Sequence, residues 1–120
     1  MADELTLQFY LKFLKDGAGT ERAPANLDID VTGDKYNASR QEIATSAEAI
    51  ALGDVGTPGY ILCHNCDATN YIEIGYDDAG FKPVVKMLAG EWALFRLAPA
   101  VPQAQANTAA CDLEYFLVEA

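Results

Sequence analysis

A chain of 120 residues is long enough to bury one core and too short for two, so a single domain over residues 1–120 is expected. Hydrophobic residues make up 51% of it while Gly and Pro number only 9 and 5, which excludes a disordered or low-complexity chain. Eight Lys plus Arg against eighteen Asp plus Glu leave a formal charge of −10, which argues against binding a nucleic-acid backbone and suits either solubility or docking on a basic patch of a partner.

No apolar run approaches the roughly 20 residues a membrane span needs. The acidic start Met-Ala-Asp-Glu is unlike the basic start of a secretion signal, so a cytosolic, unprocessed chain without membrane contact is expected. Three cysteines are an odd number, and reduced thiols are the default in such a chain. Cys63, Cys66 and Cys111 are expected to fill the core.

Leu5, Leu7, Phe9, Leu11 and Phe13 alternate with polar or amphipathic residues, and period two predicts one long strand with a core face. Gly17 and Gly19 end it, and a flexible loop tip is expected from there to Asn26. Leu27, Ile29 and Val31 alternate with Asp28 and Asp30 in a short second strand with an acidic outer face, closed by Gly33-Asp34. Tyr36 to Ile43 reads as a strand, although the Ala, Glu and Gln content from Ser39 to Leu52 would also suit a helical turn or two. Ala49 to Leu52 is read as a further strand, ended by the glycines and proline of 53–59.

The later strands are more regular: Tyr60 to His64, Tyr71 to Tyr76, Lys82 to Met87, Trp92 to Leu97 and Asp112 to Val118. Pro99 to Ala110 is read as a crossing loop or as an arm lying on a neighbouring subunit, because its prolines resist regular pairing. The last strand has apolar residues on both faces from Tyr115 to Val118. It is therefore central and covered twice, or pressed against another subunit. Eight or nine short strands with turn signals every ~8–12 residues predict an all-β, antiparallel, jelly-roll-like β-sandwich. No fixed-period repeat is present.

The one run that invites chemistry is Cys63-His64-Asn65-Cys66. A redox pair wants its first cysteine at a helix N-terminus, whereas here the run leaves an apolar strand. Structural zinc wants four ligands. Cys63, His64, Cys66 and Cys111 are the candidates, but Cys63 and His64 are adjacent and point to opposite faces of a strand. Asp67, Glu73, Asp77 and Asp78 could supply oxygens to calcium at a sheet end, without the spacing of a calcium loop. Trp92, in an apolar strand, is read as core rather than as a sugar platform. No nucleophile elbow, phosphate loop or dinucleotide fingerprint is present. No catalytic, cofactor-binding or metal-binding residue is assigned, and the chain is read as not an enzyme.

Three runs carry a resemblance: N-x-D-A-T-N-Y-I-E-I-G from Asn65, K-x-L-A-G-E-x-A-L-F-R-L-A from Lys86, and N-T-A-A-x-D-L-E-Y from Asn107. Together they make Gly59 to Ala120 similar to a group of small virion structural proteins of tailed bacteriophages. Cys66 departs from that pattern, standing where an apolar residue is usual, and the chain up to Pro58 does not match it.

The resemblance implies a decoration or cement protein that binds the major capsid protein lattice at the virion surface, made in the bacterial host cytoplasm and assembled as a dimer or trimer. A head-completion or tail-ring subunit is the alternative it leaves, and a jelly-roll carbohydrate-binding module is a reading of another class. Candidate partner contacts are the N-terminal arm with Asp3 and Glu4, the 17–26 loop with Ala18, Glu21 and Arg22, the segment with Pro99, Val101, Pro102 and Gln103, and Phe116 and Val118 on the last strand.

Overall fold

A computed structural model describes residues 4–120, so Asp3 and most of the expected N-terminal arm lie outside the described residues. The chain divides into two units, one up to Thr32 and one from Gly33 to Ala120. All regular structure among the described residues is antiparallel strand.

In the first unit the expected long strand is two strands, β1 (Leu5–Leu7) and β2 (Leu11–Lys15). The apolar alternation continues across the break, but the pairing does not. β3 (Ala18–Arg22) occupies the expected loop and forms a hairpin with β2, while β4 (Leu27–Ile29) pairs with β1. Lys15 faces Ala18 across a two-residue turn in which Asp16 and Gly17 both take positive φ, 51° and 81°. This is the Asp-Gly turn whose twist matches that of the strands it joins. All ten residues of β2 and β3 are exposed, including Leu11, Phe13 and Leu14, so the expected core face of this stretch is corrected.

The second unit holds eight strands: β5 (Tyr36–Ile43), β6 (Glu48–Ala49), β7 (Pro58–Asn65), β8 (Ile72–Asp77), β9 (Phe81–Met87), β10 (Trp92–Arg96), β11 (Gln103–Ala106) and β12 (Cys111–Glu119). They form two four-stranded sheets with orders β10-β7-β12-β5 and β6-β11-β8-β9. The first strand of the eight pairs with the last and the second with the seventh. This nested order is that of a jelly roll. The helical alternative for 39–52 is not adopted.

Each sheet turns one face inward, following the two-residue period of its strands. Ile43, Ile61, Cys63, Leu113 and Leu117 come from one sheet and Ile72, Ile74, Met87, Ala104 and Ala106 from the other, in one buried cluster. Burial of this aliphatic surface is the main force holding the sheets together. Cys63 Sγ lies 3.8 Å from Met87 Sδ across the core.

Two elements depart from expectation: the strand read over Ala49 to Leu52 is instead β6, Glu48–Ala49, with 50–52 outside it, and the loop or arm holds a strand. β11 lies inside the segment read as loop or arm, and it is the central strand between β6 and β8. Its Ala104 and Ala106 are fully buried, because small side chains fit where the backbone is covered on both sides. The preceding Pro102 is buried and accepts a bond from Ile50 N at 2.9 Å. Pro83 is tolerated in β9 because β9 is an edge strand with a register shift at Ile74/Gly75. A side chain at Gly75 would run into the Lys82 carbonyl, so glycine is required there.

Candidate functional site

The outward face of the β10-β7-β12-β5 sheet gathers side chains that the inward face cannot hold. β7 sends Ile61, Cys63 and Asn65 inward, and therefore Tyr60, Leu62 and His64 outward. Strand register then fixes who stands beside whom: Trp92 faces His64, His64 faces Glu114, and Glu114 faces Arg40. A row of four outward residues thus crosses four strands. The next row is Leu94, Leu62, Phe116 and Ala38.

Aromatic stacking organises the face. The Trp92 and His64 rings stack at 4.1 Å between centroids and 4° between planes. Tyr36 stacks on Phe116 at 5.4 Å and 16°, and the Arg96 guanidinium lies 5.1 Å from the centre of the Tyr60 ring. Trp92 is 58% exposed. The expectation that it belongs to the core is corrected, because β10 is an edge strand and Trp92 points to the outer side with Leu94 and Arg96. Leu62, Trp92, Phe116, Glu114 and Arg40 line a shallow depression on this face.

The polar groups of the row are also placed. His64 Nδ1 is 3.5 Å from Glu114 Oε1 and 3.5 Å from Cys66 Sγ. Arg40 turns to the next outward acid of β12, with Nη2 3.3 Å from Asp112 Oδ2. Cys66 sits just beyond the end of β7, where its N–H donates to the Asp112 carbonyl at 3.0 Å.

The turn beyond Cys66 is anchored by two side chains. Asn65, fully buried, donates to the Asn70 and Met87 carbonyls at 2.9 and 3.1 Å and accepts from Asp67 N at 2.9 Å. The Asp67 carboxylate accepts from Asn70 N and Thr69 N at 2.7 and 3.0 Å. The N–H of Asn70, then that of Thr69, holds the Asp67 carboxyl below its ordinary range.

The three cysteines separate. Burial pushes the Cys63 thiol up from its ordinary value of 9.0 to about 12, so it is an unreactive core filler, as expected. Cys111 is buried as well, and burial first, then the charges of Asp67 and Asp112, raises its thiol. Cys66 is only half-buried and touches His64 rather than the core. The four-ligand set of Cys63, His64, Cys66 and Cys111 is not assembled. Among the described residues, the group of His, Cys, Asp and Glu close enough to share an ion is His64, Cys66 and Glu114. Asp67, Glu73, Asp77 and Asp78 form no such group.

Of the contacts proposed from sequence, Phe116 and Val118 fall on the outward face, with Phe116 exposed and Val118 half-buried. Ala18, Glu21 and Arg22 are exposed on β3, and Glu4 is exposed. Val101 is exposed and Pro99 half-buried. Pro102 is buried, and Gln103, half-buried, pairs through its backbone with Ala49 on one side and Gly75 on the other. Trp92, His64, Glu114, Arg40 and Tyr60 were missed as members of a common face. Period two gives the face of each alone, but their adjacency depends on a register that one sequence does not disclose.

No protein family matches the chain, and no curated protein or solved structure matches it either.

Proposed function

We propose that this chain is a non-enzymatic structural protein of a tailed-bacteriophage virion, binding the major capsid protein lattice as a decoration or cement subunit. The observation that carries the assembly part is the β2–β3 hairpin, exposed at every position and apolar at Leu11, Phe13 and Leu14. A two-stranded ribbon has marginal stability by itself, and an apolar ribbon gains by lying on a second protein. The virion and its capsid protein rest on the resemblance of Gly59 to Ala120 to phage structural proteins. The jelly roll accords with this reading without proving it, since the fold serves capsid and lectin domains alike. Many weak joints on one lattice would add through raised effective concentration.

The test is the copy number relative to the major capsid protein in purified particles, read by quantitative mass spectrometry. Copies on the order of hundreds would fit a subunit tiling the shell, and roughly a dozen or fewer would move it to a ring at the head–tail junction. Absence from particles would end both readings. Within the first reading, Leu11→Asp with Phe13→Asp is expected to abolish co-sedimentation with capsids while the circular dichroism of the free protein is unchanged.

A second reading, carbohydrate binding, is favoured by one observation: Trp92 is exposed and stacked beside a shallow depression. Stabilisation by glycans in a thermal-shift screen would support it, because a ligand that binds only the folded chain raises its melting temperature.

A further inference from the structure

We propose that His64, Cys66 and Glu114 form a binding site for a zinc-class divalent cation on the outward face of the β10-β7-β12-β5 sheet. The ligands would be His64 Nδ1, the Cys66 thiolate and a Glu114 carboxylate oxygen. The fourth position is open to water or to a group brought from outside.

The backbone brings the three together without any loop having to fold around an ion. His64 and Glu114 are directly opposed in the β7–β12 ladder, on the same face. Cys66 follows two residues after His64, which returns it to that side of the strand, and its backbone is fixed by the bond to Asp112 O. One nitrogen, His64 Nδ1, is therefore 3.5 Å from a sulfur and 3.5 Å from a carboxylate oxygen.

Those separations are the ones a tetrahedral ion requires. With Zn–N and Zn–O near 2.0 Å and Zn–S near 2.3 Å, adjacent ligand atoms stand roughly 3.3–3.5 Å apart. All three donor atoms lie within 4.8 Å of one another. The remaining edge, from sulfur to carboxylate, closes by rotation of Glu114, whose side chain is 53% exposed.

The surroundings suit a metal ligand set. Stacking of the Trp92 indole on the imidazole fixes the ring plane, the role that outer-layer partners play around metal-bound histidines. Arg40 is paired with Asp112, and the Asn65 and Asp67 bonds hold the turn that carries Cys66. One nitrogen, one sulfur and one oxygen form a borderline donor set that favours zinc or cobalt over calcium or magnesium. The net charge of −10 raises the local cation concentration.

The test is a titration of the full chain, thiols reduced, with Co²⁺ followed by Zn²⁺. The proposal expects saturable 1:1 uptake of Co²⁺ with a thiolate-to-cobalt charge-transfer absorption that Zn²⁺ abolishes. Cys66→Ser should remove that absorption, and Glu114→Gln should keep it. Each should weaken Co²⁺ binding by about a hundredfold or more, since loss of a partner one layer further out already costs tenfold to a hundredfold. Both side chains are outside the core, so an unchanged near-ultraviolet circular dichroism spectrum shows that the variants fold. Absence of a saturable absorption in the unaltered chain would overturn the proposal, as would an absorption that survives in Cys66→Ser, which would assign the thiolate to Cys63 or Cys111.

Discussion

The β2–β3 hairpin and the β5–β12–β7 ladder are both antiparallel, and both carry large apolar residues. They differ in what stands behind them. The ladder sets Ile43, Ile61, Leu113 and Leu117 against an opposing sheet, each at 0% exposure, whereas Leu11, Phe13 and Leu14 of the hairpin stay 53–69% exposed. Large apolar residues therefore give a strand surface to bury, and only the presence of a second layer turns that surface into stability.

The sharpest way to break this comparison is to delete the same chemical group from each region. Leu113→Ala is expected to lower the unfolding free energy by about 2–5 kcal/mol, from lost transfer energy and the cavity left behind. Leu14→Ala should change it by less than about 0.5 kcal/mol. Urea unfolding of both variants measures the contrast, and equal effects would mean that Leu14 is covered in solution. Next in size, Gly75→Ala should cost about 1–3 kcal/mol, because the new methyl meets backbone at the β8–β9 register shift and the strand must move.

A third test uses pH. The folded chain keeps the Cys63 proton up to about pH 12, while an unfolded thiol loses it near 9.0. The unfolded state then binds fewer protons, so stability is fully present below about pH 9 and falls as pH rises through that window. Cys111 and Tyr115, both raised mainly by burial, add in the same direction. Stability profiles from pH 8 upward should show a shallower decline in Cys63→Ala than in the unaltered chain, whatever the cost of the substitution at neutral pH.

A local effect is expected from Gly17→Ala, at a φ of +81° that alanine adopts with strain. About 1 kcal/mol would be lost from the hairpin alone. Hydrogen exchange should quicken across Leu11–Arg22 and remain unchanged in β12.

Much of the sandwich was legible because its strands carry large aliphatic or aromatic residues at period two. Tyr36 to Ile43 was read with the ends that β5 has, and β7 to β10 and β12 were located within one or two residues. β11 was not legible, since the apolar positions of Gln-Ala-Gln-Ala carry only a methyl group, and Pro99 and Pro102 before it suggested a loop. β3 was missed although Asp16-Gly17 is a hairpin turn signal, because Ala-Gly-Thr-Glu-Arg has no apolar side of its own. The break between β1 and β2 leaves no mark in the pattern. The outward face was least legible of all: His64 and Trp92 are 28 positions apart in the sequence, and only the register of three strands makes them neighbours of Glu114.

β12 is the last of the eight jelly-roll strands to leave the ribosome, yet it lies between β7 and β5 and bonds to both. Until it arrives, the β5 and β7 edges lack their shared neighbour. The β10-β7-β12-β5 sheet therefore cannot be completed until β12 has been made. Its assembly depends on contacts of high sequence separation, which makes folding slow and leaves the nascent chain open to edge-to-edge pairing with its siblings on a crowded polysome.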